Sequence, residues 1–155
     1  MSLHFRAMQT ETATALWDGG TDAYGMKPER ARSDGKGVPC RHCLLPVEKD
    51  EDYLILAYRP FPALQPYAET GPIFLHADRC APHEPSVLLP PILDSRDYIL
   101  RGYSAADRIV YGTGAVVPTP ELVEQAMRIL SRSDVAYVHV RSARNNCYQC
   151  RIDRA

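Results

Sequence analysis

The chain has 155 residues, 45% of them hydrophobic and 24% charged, with a formal net charge of -1. A chain of that size forms one domain with its own core, which excludes global disorder and makes neither disulfides nor a metal obligatory for stability. A near-zero charge gives no field to draw it to nucleic acid or an anionic membrane, and no apolar run approaches the ~20 residues of a membrane helix.

In chain order, residues 1–17 open with a mildly apolar stretch and a short helix around Thr10–Trp17. The start has no apolar segment before a small-residue cleavage site, so a secretory signal is not expected. Residues 18–38 hold Gly19, Gly20, Gly25, Gly35 and Gly37 and read as a long loop. Val38–Leu45 and the apolar run Tyr53–Tyr58 are expected to pair as strands across the charged turn Glu48–Asp52, with Pro60 and Pro62 ending the second. Ile73–His76 reads as a short strand, and Pro82, Pro85, Pro90 and Pro91 mark an irregular stretch. Two hairpins follow, Tyr98–Tyr103 with Arg108–Gly112 and Val135–Arg141 with Cys147–Asp153.

Between the hairpins lies the best helix, about residues 119–132. Thr119 is placed to cap it, Pro120 suits the first turn, and Leu122, Ala126 and Leu130 recur every fourth residue. One main helix on an antiparallel-rich sheet of hairpins gives an α+β fold over residues 1–155.

The cysteines carry the loudest local signals. Cys40-Arg-His-Cys43 and Cys147-Tyr-Gln-Cys150 are C-x-x-C pairs, and His76-Ala-Asp-Arg-Cys80 is a third pair of metal-type ligands. Zinc needs four such groups in a tetrahedron, and Cys40 with Cys43 could be completed by Cys147 and Cys150 or by His76 and Cys80. Three features count against both sets. More than a hundred residues separate the two C-x-x-C pairs, against about 15–20 in zinc ribbons. Residues three apart on a strand point to opposite faces, so Cys147 and Cys150 meet only across a turn or bulge. Neither pair is followed by a glycine to ease a tight turn. Ordinary thiols of core and surface are therefore the leading expectation. A cytosolic dithiol redox site is a further alternative, weakened because no strand–loop–helix pattern follows Cys43. Five cysteines is an odd number, and reduced thiols in a cytoplasm are the default for such a chain.

A polar strand face is the other candidate. Tyr137, His139 and Arg141 share one face of their strand, and Ile99, Arg101 and Tyr103 one face of theirs. If the strands are neighbours, Arg101, Tyr103, His139 and Arg141 form one patch suited to a small carboxylate or phosphate. Its counter-charge in a purely structural role would come from Asp97, Asp107, Asp134 or Asp153. A solvated face of a one-sided sheet is the commoner use of such residues. Of the 18 basic residues only Lys27, Lys36 and Lys49 are lysine. The guanidinium fork suits oxyanions, although composition bias is the weightier explanation of that excess. No phosphate loop, nucleophile elbow or dinucleotide fingerprint is present.

The segments Pro39–Leu44, Tyr53–Phe61, Gly71–His76, Arg101–Tyr103 and Val138–Arg141, with Asn146-Cys-Tyr148, resemble a bacterial family known as domain of unknown function 1203. The resemblance runs along nearly the whole chain and implies a bacterial source and a stand-alone domain. The family name carries no activity, so it assigns no residue a role. The expectation is a small-molecule or anion-binding domain, with or without catalysis. A zinc-stabilised interaction module is the alternative, and no nucleic-acid or membrane partner is expected.

Overall fold

Alternation decides the larger half of the molecule. Tyr98 and Leu100, Val138 and Val140, and Cys150 and Ile152 lie on one side of three neighbouring strands and are buried. Against that side packs the apolar stripe Leu122, Ala126, Ile129 and Leu130 of the main helix, forming the principal core. The computed structural model describes residues 1–155. Its elements are β1 (Leu3–Arg6), α1 (Thr10–Trp17), β2 (Glu29–Arg32), β3 (Asp52–Tyr58), β4 (Gly71–His76), β5 (Asp97–Tyr103), β6 (Ala115–Pro118), α2 (Leu122–Leu130), β7 (Tyr137–Ser142) and β8 (Tyr148–Arg154). They form a five-stranded sheet, β1-β8-β7-β5-β6, and a three-stranded sheet, β2-β3-β4. Every ladder is antiparallel. The fold is thus α+β and antiparallel, with one main helix. No helix is long and apolar enough to cross a membrane.

Several local expectations are corrected. Val38–Leu45 is not a strand. Pro39 and Pro46 lack the N–H a ladder needs, and the segment closes on itself, Cys40 N–H donating to the Leu45 carbonyl and Leu44 N–H to that of Cys40. The partners of β3 are β4 and β2, and β2 lies inside the stretch read as a loop. Its sequence, Glu29-Arg-Ala-Arg32, is a mostly exposed edge with no apolar alternation to reveal it, and Asp52 pairs with Arg30 at 2.9 Å and Arg32 at 3.4 Å. Arg108–Gly112 touches β5 through a single bridge, Tyr103 to Ile109, while β6 forms the ladder. Thr119 caps nothing. It donates to the Ser95 carbonyl, and a short 3-10 turn, Thr119–Glu121, leads into α2.

Gly102 of β5 stands against Ile129 of α2 and against Thr113. A Cβ there would lie 2.9 Å from Ile129 Cγ2 and 3.0 Å from Thr113 Oγ1. Gly102→Ala is therefore expected to cost about 1–3 kcal/mol through overpacking, read as a lower denaturant midpoint at unchanged slope.

Candidate metal centre and arginine pocket

The turn between Pro39 and Pro46 brings Cys40 and Cys43 together, and a parallel bridge from Cys40 to Phe74 docks that turn on β4. His76 ends β4, and Cys80 follows in the next loop. One ligand atom from each of Cys40, Cys43, His76 and Cys80 lies within 4.8 Å of all the others. Cys40 Sγ is 3.8 Å from Cys80 Sγ, and Cys43 Sγ is 3.5 Å from His76 Nδ1. A tetrahedron with metal–sulfur bonds of ~2.3 Å and metal–nitrogen bonds of ~2.0–2.1 Å has S–S edges of about 3.8 Å and S–N edges of about 3.5 Å. The cluster could hold a metal such as zinc.

The missing glycine is also accounted for. Leu44 itself adopts the left-handed conformation, φ 56°, and its side chain is fully buried in the principal core. Burying a leucine contributes about 1.5–3 kcal/mol, enough to offset the ~1–3 kcal/mol strain of that backbone.

Around the four ligands stands a supporting layer. His76 N–H points at Cys40 Sγ, 3.4 Å away. With Nδ1 toward the cluster, His76 Nε2 faces Glu51 Oε1 at 3.8 Å, the arrangement that fixes a ligating imidazole. His42 Nδ1 lies 3.2 Å from Cys80 Sγ, and its Nε2 lies 3.0 Å from Thr10 Oγ1. Burial pushes the pKa of His42 down, so the ring is neutral, and a proton on Nδ1 satisfies both contacts. Trp17 packs edge-on against His42 and donates from Nε1 to the His76 carbonyl at 2.8 Å.

Three thiols this close cannot all ionise without a cation. Hydrogen bonds from Cys43 and Cys80 hold the Cys40 thiol far below its usual range. The same contact with Cys40 pushes Cys43 up to about 11 and Cys80 well up. Hydrogen bonding to Cys40 also raises His76. A divalent cation resolves that conflict, because it favours every thiolate at once.

Cys147 and Cys150 do not join the site. Cys150 is fully buried in the principal core, and Cys147 stands at the β7–β8 turn beside Ser142. A bulge between Val140 and Arg141 does occur, pairing Arg141 with Tyr148 and Val140 with Cys150. It turns Tyr148, rather than a cysteine, toward the polar face.

That polar face is assembled as the alternation requires, with Arg101 opposite His139 and Tyr103 opposite Tyr137. It is not a solvated surface, for β7 is buried on both sides. The four aspartates considered as counter-charges are engaged elsewhere: Asp97 with Arg144, Asp107 with Tyr137, Asp134 with Arg132, and Asp153 with Arg6 and Arg151. The carboxylate present is Glu69, for which the sequence carried no signal. Arg101 Nη1 donates to Glu69 Oε1 at 2.6 Å, and Arg141 Nη1 stands 3.6 Å from Glu69 Oε2 while donating to the Asn146 carbonyl at 3.1 Å. Arg141 is only 4% exposed, yet its Nε and Nη2 have no hydrogen-bond partner. It lines a cavity of about 240 Å³.

His139 is caged by Phe61, Tyr103, Tyr137 and Tyr148, with ring centroids 4.7–5.2 Å away. Burial, reinforced by the charges of Arg141, Arg151 and Arg101, holds its pKa well below the usual value. It folds neutral and must gain a proton on unfolding in acid. Its contribution is therefore complete above the unfolded pKa of about 6.5 and is lost as pH falls below it. Lowering pH from 7 to 5 is expected to cost roughly 2 kcal/mol through His139, at up to about 1.4 kcal/mol per pH unit. Urea midpoints across that range check it, with His139→Gln expected to flatten the slope by one proton.

A search of curated proteins finds no match to this chain. A search of solved structures likewise finds none. The family model described as protein of unknown function (DUF1203) matches residues 37–154, a span that holds every ligand of the cluster and the whole arginine face. The chain belongs to that family.

Proposed function

We propose that this chain is a zinc-stabilised binding domain. Cys40, Cys43, His76 and Cys80 hold one structural zinc, and the arginine pocket beside β7 is its ligand site. The observation that carries the metal half is the pair of edge lengths, 3.8 Å for S–S and 3.5 Å for S–N, which match zinc–thiolate–imidazole geometry. Four protein ligands complete a tetrahedron and leave no position for substrate, so the role is structural rather than catalytic. Zinc–thiolate ligation needs reduced cysteines, which suits a reducing compartment such as a cytoplasm. The observation that favours the ligand half is Arg141, buried with two unpartnered nitrogens beside a cavity. A dithiol redox reading is not favoured, since the close thiols form a three-cysteine, one-histidine set rather than an isolated pair.

The test is reversible metal removal. Chelation is expected to lower the melting temperature by about 10 °C, because ligand-site energy is folding energy. Added zinc should restore it, and magnesium or calcium, which prefer oxygen ligands, should not. A melting curve indifferent to a strong chelator would rule out the structural metal.

A further inference from the structure

The arginine pocket invites a narrower statement, and it rests on the ligand half of the reading above. Two arginines of this chain are almost completely buried, and they contrast sharply. Arg41 donates from Nε to the Tyr148 carbonyl and from Nη1 to the Pro39 carbonyl, both at 2.7 Å, and its guanidinium lies over the Phe74 ring. It is satisfied from within the fold. Arg141 is 4% exposed, spends Nη1 on the Asn146 carbonyl, and leaves Nε and Nη2 without partners. Those two nitrogens form one edge of the guanidinium, whose parallel N–H groups match the two oxygens of a planar oxyanion. Buried donors left unmet are rare, and each calls for a partner.

The surroundings limit what that partner is. Of the three arginines whose charges reach His139, Arg151 is paired with Asp153, which leaves Arg101 and Arg141 with one carboxylate, that of Glu69, between them. His139 is neutral because burial and its arginine neighbours disfavour its proton. The balance is one positive charge, which a monoanion cancels and a dianion overshoots next to Glu69. Tyr58, Tyr148, Thr70 and Asn145 line the same cavity. Burial raises Tyr58 to about 12 and Tyr148 well above its usual value. Both phenols therefore keep their protons and can donate to a bound oxygen. The cavity of about 240 Å³ has room for roughly eight waters or as many non-hydrogen atoms, the size of a small organic anion.

We infer that the pocket is a binding site for a small monocarboxylate, held two-point on the Nε/Nη2 edge of Arg141 with Glu69 turning away dianions.

Calorimetric titration of the zinc-loaded protein with sodium acetate, glycolate and pyruvate tests it. Inorganic phosphate, at about pH 8 so that it is mostly the dianion, and sodium chloride at matched ionic strength are the comparisons. At least one carboxylate is expected to bind saturably at one per chain and to raise the melting temperature, with phosphate at least tenfold weaker. Arg141→Gln should weaken that carboxylate at least tenfold. Because a buried substitution can impair folding, Glu69→Gln is the second variant. It removes a partly exposed competing carboxylate, and should tighten the carboxylate severalfold while admitting phosphate. Phosphate binding as tightly as any carboxylate, in an Arg141-dependent way, overturns the ligand class and leaves the anion pocket standing. No saturable binding of any anion overturns both, with ordered water as the partner of Arg141. Affinity unchanged in both variants places the ligand elsewhere and also overturns the site. Zinc content is measured in every sample, so a failure at one zinc per chain does not touch the metal half.

Discussion

Cys40→Ser is expected to abolish stoichiometric zinc and to lower the melting temperature by about 8–16 °C. Cys40 is fully buried, sits 3.8 Å from Cys80 Sγ and receives the His76 N–H. A serine hydroxyl is a poor zinc ligand at neutral pH, because the soft thiolate is what the metal prefers. Four-ligand sites in peptides release ~10–16 kcal/mol on binding zinc. A loss of only about 4 kcal/mol moves the melting temperature of a chain this size by about 2–4 °C per kcal/mol. Serine also leaves a hydroxyl among Ile73, Leu75 and Val38, which deepens the loss. Cys147→Ser is the matched control. That thiol stands apart from the cluster at the β7–β8 turn, so zinc content and stability should stay within about 0.5 kcal/mol of the parent. Full zinc occupancy in Cys40→Ser would remove Cys40 from the site.

Arg41→Ala is expected to cost about 3–5 kcal/mol while zinc remains bound at one per chain. Arg41 lies between two ligands in sequence but points away from them, with Nε on the Tyr148 carbonyl and Nη1 on the Pro39 carbonyl. Burial lowers its pKa to about 10, so it stays charged at neutral pH. Truncation strands one buried and one part-buried carbonyl, at about 1–3 kcal/mol for the buried one, and opens a cavity where the side chain packs. Lysine is not a substitute, because a single ammonium cannot reach both acceptors in the planar geometry of the fork. The residue thus ties the turn that carries Cys40 and Cys43 to the strand that carries Tyr148, one wall of the arginine pocket. Carboxylate affinity should fall in the same variant. Chemical denaturation with zinc analysis separates the two effects, and stability within about 1 kcal/mol of the parent would contradict that tie.

What could be read from the sequence was local. Helix α2 and the β7–β8 hairpin carry their own signals within one short stretch each, apolar residues at every fourth position in one and paired alternation in the other. Strand period puts Arg101 with Tyr103 and His139 with Arg141, and the pairing of β5 with β7 joins the two pairs into one face. What escaped depends on contacts far apart in sequence. Strand β2 is polar and exposed, so nothing but its pairing with β3 defines it. The turn that carries Cys40 and Cys43 gives no turn signal in the sequence, because Leu44, not glycine, takes the left-handed position, and its burial offsets the strain. The choice of His76 and Cys80 over Cys147 and Cys150 is made by the bridge from Cys40 to Phe74, two residues before His76. Glu69 reaches Arg101 and Arg141 from an irregular segment that no pattern marks. Alternation likewise gave no hint that the arginine face is buried, since that depends on Phe61 and the segment around Glu69 lying over it.

The most direct measurement is metal content, with a native thiol count, on protein purified without added zinc. The account predicts one zinc per chain and one readily reacting thiol, Cys147, because Cys150 is fully buried and the remaining three cysteines are ligands. All five cysteines should react only after chelation in denaturant. Protein free of metal, native by circular dichroism, with Cys40, Cys43 and Cys80 all reacting as ordinary thiols, would contradict it.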